Sequence, residues 1–310
     1  MAFHSGFVSI IGKPNAGKST LLNALVGEKV AIVTRKPQTT RNRILGLLNL
    51  DRKTGRPAGQ IVLIDTPGIH KPLNSLNRRM MQEVYDALEG CNLLLLIVDA
   101  SVKFGSDDQA VLHLAKKAGL PIFLLLNKID AVEKQKLLPL IAHYKELHDF
   151  AEVIPISALK KQGLETLLDA VIKALPEGPR YFPKDQITDQ PERFLAAELV
   201  REQVLMNTSQ EVPHATTVLV DQYEEGEKLT RIAATIYVER PGQKAIIIGK
   251  QGATLKKVGT AARLQIERLL NHRVFLELFV KVQPNWRESR AFVEDTDWRR
   301  QLEKLGRSTE

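Results

Sequence analysis

The chain has 310 residues, 44% hydrophobic and 26% charged, with a formal net charge of +8. That length exceeds one compact core of ordinary size and predicts two domains. The longest apolar run of note, Leu93 to Val98, falls well short of the roughly 18 residues a membrane span needs, and the N-terminus lacks the charged-then-apolar order of a signal peptide. A cytoplasmic protein is therefore expected. The single cysteine, Cys91, offers no internal disulfide partner and, beside a leucine run, reads as a packed small hydrophobe rather than a nucleophile. The charge is local: residues 240–290 hold eleven Lys/Arg against three acids, an excess equal to that of the whole chain. Such a segment suits a surface that meets polyanions, either nucleic acid or acidic lipid headgroups.

Taken in order, Phe7 to Ile11 predicts a buried strand and Ser19 to Val26 a helix. Between them Gly12-Lys13-Pro14-Asn15-Ala16-Gly17-Lys18-Ser19 spells GxxxxGK[ST], with Thr20 following. In that setting backbone N–H groups and the helix N-terminus face a phosphate, Lys18 reaches the terminal phosphates and Ser19 supplies an oxygen to Mg2+. Thr34 to Arg43 is polar and reads as a mobile loop, and Asp51 to Gly59 as a turn-rich hairpin connection. Ile61 to Ile64 is a short buried strand ending in Asp65-Thr66-Pro67-Gly68. A carboxylate there can hold magnesium through a water, and the Gly68 N–H can meet a γ-phosphate.

Leu93 to Asp99 is the next strand, Ser106 to Ala118 a helix, and Pro121 to Leu126 a strand ending in Asn127-Lys128-Ile129-Asp130, an NKxD pattern. The Asp130 carboxylate matches the N1–H and exocyclic amine of guanine, a donor pair that adenine lacks. Asn127 would brace the loop and meet the purine edge, and the stem of Lys128 would cover the ring. After the strand Val153 to Ile156, Ser157-Ala158-Leu159 can place an N–H near the guanine carbonyl. Each motif is short, but their order at successive strand ends predicts a GTP site on a doubly wound, mostly parallel α/β sheet.

Leu175-Pro176-Glu177-Gly178-Pro179 closes this domain, and Tyr181 to Pro191 reads as a connector. Beyond it the pattern becomes α-β-β-α-α-β: a helix from about Phe194 to Met206, strands Thr216 to Gln222 and Arg231 to Glu239, two helices flanking Gly249-Lys250-Gln251-Gly252, and a strand Val274 to Val282. Ile246-Ile247-Ile248 before this GxxG, with Lys256, Lys257 and Arg263 after it, resembles a type II KH domain. Its glycines would let the turn approach a single-stranded backbone, Lys250 would neutralise phosphate, and the apolar platform would take unstacked bases of RNA. The boundaries expected are 1–175 for the GTP-binding domain, 176–191 for a linker, 192–284 for the KH domain and 285–310 for a tail.

The nucleotide motifs, with Pro14 and Asn15, resemble those of translation-factor-related P-loop GTPases. In that resemblance Gln38-Thr39-Thr40-Arg41 is the first switch, Thr40 joins Ser19 and Asp65 around Mg2+, and Asn15 sits where relatives hold a potassium ion. Ile69 follows Gly68 where Ras-like GTPases carry the water-orienting glutamine, so slow intrinsic hydrolysis is expected. An arginine finger from Arg41 or Arg43 is weighed against a merely solvated side chain. With the KH module, Asp185, Thr188-Asp189, Glu198, Arg201-Glu202 and Glu211-Val212-Pro213-His214, the chain resembles the Era GTPases of bacteria from about Ser5 to Trp286. The resemblance implies binding of the 3' end of 16S ribosomal RNA, a role in small ribosomal subunit maturation, and peripheral association with the cytoplasmic membrane face. The alternative is action at the membrane surface or in cell-cycle signalling through the basic C-terminal domain. A monomer is expected, and neither the long hairpin nor the extended tail is expected to touch the chemistry.

Overall fold

The structure is a computed structural model that describes residues 2–69 and 73–307. The chain forms two compact units: one comprises Met1–Ala31, Thr40–Lys71 and Met80–Asp189, the other Ile32–Thr39, Pro72–Arg79 and Gln190–Glu310.

The first unit is built on a six-stranded sheet. Its strands are β1 (His4–Ile11), β2 (Ile44–Leu50), β3 (Gly59–Asp65), β4 (Leu93–Asp99), β5 (Ile122–Asn127) and β6 (Glu152–Pro155), in the spatial order β2-β3-β1-β4-β5-β6. Only β2 runs antiparallel, paired to β3 through the hairpin at residues 51–58. The helices are α1 (Lys18–Val26), α2 (Ser75–Leu88, whose first residues belong to the other unit), α3 (Ser106–Lys117), α4 (Lys134–Leu147) and α5 (Leu164–Ala174). Strand β4 explains the layering. Leu93, Leu95 and Ile97 enter one buried cluster with Leu21 and Leu167, whereas Leu94, Leu96 and Val98 enter another with Val84 and Val111. With a side-chain period of two, an all-apolar strand must be covered on both faces, and helices on both faces cover it. The loops after β1, β3 and β5 leave the C-terminal edge of the sheet, where ligands of open parallel sheets bind. Cys91 is buried, its thiol donates to the Ala87 carbonyl at 2.8 Å, and burial pushes its pKa up, as befits a packing residue.

The second unit has the expected element order: α6 (Glu192–Asn207), β7 (Thr217–Glu224), β8 (Thr230–Val238), α7 (Pro241–Ile248), α8 (Ala253–Leu270) and β9 (Val274–Val282). Strand β7 pairs antiparallel to β8, and β9 parallel to it. Val200, Val204, Ile236, Ile247, Val258, Ala262 and Ile266 form the core. Two short helices follow, α9 (Arg290–Asp295) and α10 (Trp298–Arg307); the last three residues of the expected tail lie outside the described residues.

One expectation is corrected here. Ile247 is buried in this core, so its apolar side chain closes the fold and is not available to a base. Residues 34–43 form a loop without helix or strand in which Thr40, Arg41 and Asn42 are buried, Arg35 and Pro37 are exposed, and Thr34, Lys36 and Thr39 bond one another through Thr34 Oγ1–Thr39 Oγ1 at 2.7 Å and Lys36 N–H to Thr34 Oγ1 at 3.0 Å. The tail bonds the start of α2, with Leu76 N–H donating to the Arg287 carbonyl at 3.0 Å and Ser75 Oγ to the Glu288 carbonyl at 2.8 Å.

Candidate nucleotide and RNA sites

The loop between β1 and α1 curls because its glycines leave no alternative. A Cβ on Gly12 would lie 2.5 Å from the Ile97 carbonyl oxygen, and one on Gly17, at φ +105°, would lie 2.2 Å from Asn127 Nδ2. Asn15 also takes a left-handed conformation, at φ 62° on the exposed crest. The Lys18 ammonium turns into the loop and donates to the carbonyls of Gly12 and Lys13, each at 3.0 Å. Burial lowers its pKa to about 8 while nearby Asp65 raises it, so the cation persists at neutral pH. Lys13 bonds Asp108 of α3 at 2.8 Å, a tie that no motif signals.

At the mouth of the loop three oxygens from three segments converge. Ser19 Oγ donates to Asp65 Oδ2 at 2.6 Å and lies 2.8 Å from Thr40 Oγ1, which in turn is 3.3 Å from Asp65 Oδ2. Asp65 is fully buried; desolvation raises its carboxyl to about 6 against the opposing pull of Lys18 and the Ser19 and Thr40 hydrogen bonds. Its second oxygen, Oδ1, is buried without a hydrogen-bond partner. A carboxylate with an orphaned buried oxygen beside two hydroxyls is a hard, oxygen-only donor set, which fits a magnesium ion. Thr66 Oγ1 anchors the following turn on the Ile10 carbonyl at 2.8 Å, and Pro67 is buried with it. Gly68 packs so closely that a Cβ would lie 2.7 Å from Pro14 Cγ. Ile69 is buried in the apolar cluster with Ile11 and Val84 and cannot orient water.

Asn127 braces the loop that follows β5 through both polar ends of its amide. Nδ2 donates to the Ala16 carbonyl at 2.8 Å and Oδ1 accepts from Ala158 N–H at 3.0 Å, which leaves one N–H and one lone pair of the amide for a further partner. Lys128, at φ 66°, bonds Asp99 Oδ2 at 2.5 Å and holds its stem along the loop. Asp130 and Leu159 are exposed and Ser157 is buried. Gln38 and Thr39 fall in the second unit, whereas Thr40 and Arg41 return to the first. Arg41 is buried, which corrects the solvated reading of that side chain.

In the second unit Gly249, Gln251 and Gly252 have φ values of 72°, 52° and 79°, so the turn between α7 and α8 is wholly left-handed except at Lys250. Lys250, Lys256 and Lys257 are exposed. Ile246 is half exposed and Ile248 partly so, leaving these two isoleucines beside the turn as the apolar edge. Arg263 is paired with Glu267 at 2.9 Å along α8, which offsets its charge toward a phosphate.

A family model described as a 50S ribosome-binding GTPase matches residues 7–128, and one described as a KH domain matches residues 211–287. The GTPase Era of Geobacter metallireducens is 51% identical over 295 residues, covering 94% of this chain and 97% of that protein. The GTPase Era of Syntrophus aciditrophicus is 50% identical, covering 92% of each. A crystal structure of Era in complex with MgGDPNP and nucleotides 1506–1542 of 16S ribosomal RNA superposes with a TM-score of 0.90 at 40% identity, covering 94% of this chain and 98% of that one. With the phosphate loop, the magnesium-fitting oxygens and the GxxG turn all in place on a chain matched nearly end to end, this protein belongs to the Era GTPase family.

Proposed function

We propose that this GTPase uses GTP hydrolysis as a switch and binds the single-stranded 3' end of 16S ribosomal RNA through its KH domain, assisting small-subunit assembly. The observation that carries the nucleotide half is the convergence of Ser19, Thr40 and the half-satisfied Asp65 at the mouth of the Gly12–Ser19 loop. In this reading Ser19 and Thr40 bind magnesium and Asp65 steadies it; the ion, when bound, supplies positive charge to the transferring phosphoryl group. Lys18 exchanges its loop carbonyls for phosphate oxygens. Gly68 N–H meets the γ-phosphate, Asp130 reads guanine, and Thr20 and the N–H groups of residues 157–159 complete the nucleotide contacts. Asn15 helps to hold a potassium ion, so that turnover is faster in potassium than in sodium; equal rates would remove that role.

The RNA half rests on the exposed lysines around a left-handed turn and on the relative crystallised with a 16S fragment. The domain division follows, with 1–175 binding nucleotide, 176–191 linking, 192–284 binding RNA and 285–310 as a tail. No helix among the described residues is long and apolar enough to cross a membrane, so any membrane association would be peripheral, through the basic surface. The deciding experiment is GTP hydrolysis with and without an oligonucleotide matching the 16S 3' end, on wild type and on the Gly249→Asp, Gly252→Asp double variant. Stimulation that disappears in the variant supports the reading, and absence of stimulation in wild type points to another trigger.

A further inference from the structure

The loop between β1 and α1 is braced from outside at two points, and the phosphate motif accounts for only one of them. Asn127 holds one limb by donating to the Ala16 carbonyl. The other limb is held through Lys13, whose ammonium donates to Asp108 Oδ2 at 2.8 Å, 95 residues away in sequence. Asp108 is the third residue of α3, and the same oxygen accepts the Gly105 N–H at 3.1 Å. A carboxylate that caps a helix start is already well placed, since the first N–H groups of the helix favour negative charge. It needs no cation from a distant loop. A lysine on a loop, for its part, keeps more rotamer freedom in water. Yet the Asp108 side chain is 4% exposed and that of Lys13 18%, so the pair is made out of water at a desolvation cost. Capping α3 gives no reason for it.

What the pair fixes is main chain. The Lys13 carbonyl accepts the Ala16 N–H at 3.3 Å and the Lys18 ammonium at 3.0 Å, so it closes the loop on itself and seats the buried lysine. The next residue, Pro14, packs against Gly68, and Asn15 after it stands at φ 62°. We propose that Asp108 is a positioning residue for nucleotide binding: by holding the Lys13 ammonium it fixes residues 13–15 in the curvature that a diphosphate requires. The proposal rests on the phosphate-binding reading of residues 12–19. A loop shaped before its ligand arrives meets no further ordering cost on binding, whereas an unbraced loop meets it with every nucleotide. The β-phosphate is common to GTP and GDP, so the brace serves both alike.

The test is the affinity of GDP and of a non-hydrolysable GTP analogue, in magnesium, for wild type, Asp108→Asn, Lys13→Ala, the double variant and Lys13→Arg. Asp108→Asn keeps an acceptor for the Gly105 N–H and removes only the charge. The expected result is a loss of about 5- to 20-fold for both nucleotides in each single variant and no further loss in the double variant, because the two side chains act as one. Lys13→Arg, which keeps an ion pair with Asp108, should retain most of the affinity. A pair that served stability alone would lower the melting temperature of the nucleotide-free protein and leave the affinity of the folded protein unchanged, and that outcome overturns the proposal. So does multiplication of the two single losses in the double variant, or tighter binding in Asp108→Asn, which would make a released Lys13 a direct phosphate ligand. Should Asp108→Asn fail to fold, Asp108→Glu, which keeps the charge one methylene further out, carries the test: a smaller loss is expected, and unchanged affinity overturns the proposal. Lys18→Ala is the control for the underlying reading, since undiminished GDP binding in it would overturn the phosphate loop itself, whatever Asp108 does.

Discussion

Two glycine turns carry the two sites, and they use glycine for different reasons. At Gly12 and Gly17 the missing Cβ is a matter of space: a main-chain carbonyl and the Asn127 amide occupy the positions a methyl would need. The loop is a closed cradle, with a buried lysine inside and Asn127 bracing it from the base-recognition strand. Around Gly252 nothing lies within 4 Å of where a Cβ would be, and Gly249 is crowded only by Thr254 at the start of α8. That turn is open at Gly252, where backbone angle alone calls for glycine, with Lys250 exposed on it. A site that encloses one small anion is built by close packing, whereas one that meets a long polymer needs only an accessible, correctly curved edge.

The sharpest way to break the contrast is Gly17→Ala. The methyl has to displace Asn127 while the residue keeps a φ of +105°, so the cradle and the base-recognition loop are disturbed together. The expected outcome is a loss of at least about 100-fold in affinity for GTP and GDP alike, near 3 kcal/mol, with oligonucleotide binding retained; nucleotide titration by fluorescence or calorimetry would show it. Next in size is Asp130→Ala. Asp130 stands exposed on a loop that the cradle positions. Removing its two acceptors should cut GTP affinity about 10- to 100-fold while leaving ATP binding as weak as before. A competition assay between the two nucleotides decides it, and an undiminished preference for GTP would move base selection elsewhere.

The same contrast explains what could be read from the residues. The cradle was legible because phosphate chemistry demands particular residues at fixed spacing, and β1, α1 and the motif-bearing strand ends lie within a few residues of where periodicity places them. The KH unit was legible from element order. What escaped were ties between residues far apart in sequence: Lys13 to Asp108, Asn127 to Ala16 and Ala158, and Arg201 and Glu202 to the segment before Thr40. A polar, proline-containing run such as Thr34 to Arg43 has the composition of a loop, and local pattern does not reveal that a distant helix orders it. For the same reason Ile246, Ile247 and Ile248 looked alike, although helical geometry buries Ile247 fully in the core, packs Ile248 partly against it and leaves Ile246 half exposed.

Asp65 sharpens the cradle side of the comparison through stability. Its carboxyl is raised from 3.8 to about 6, chiefly by burial. In the chain free of nucleotide and magnesium, the folded state therefore binds a proton between these values that the unfolded state has released. Stability drawn from this group is fully present below about pH 4 and falls as the pH rises to about 6, beyond which the cost is constant. Asp65→Asn removes that charge and should stabilise the ligand-free protein at pH 7 by about 1 to 3 kcal/mol, while removing its response to magnesium and GTP. Thermal melts at pH 5 and 7 with chelator, then with magnesium and GTP, check both halves. An unstable or magnesium-responsive variant would show that Asp65 is held for packing.

Gly252→Ala should have the smallest effect, and it tests the open turn directly. With no atom within 4 Å of the new methyl, the whole cost is that of holding alanine at a φ of +79°, about 1 kcal/mol. A 310-residue chain loses only a few degrees of melting temperature at most for that change, and oligonucleotide affinity should fall less than tenfold because Lys250 keeps its place on the exposed turn. Lys250→Ala separates curvature from charge: it should leave the melt unchanged and reduce the salt dependence of RNA binding by about one phosphate contact. If Gly252→Ala instead abolished RNA binding with the fold intact, a nucleotide backbone must press against Gly252 itself, and the second turn would be as tightly packed around its ligand as the first.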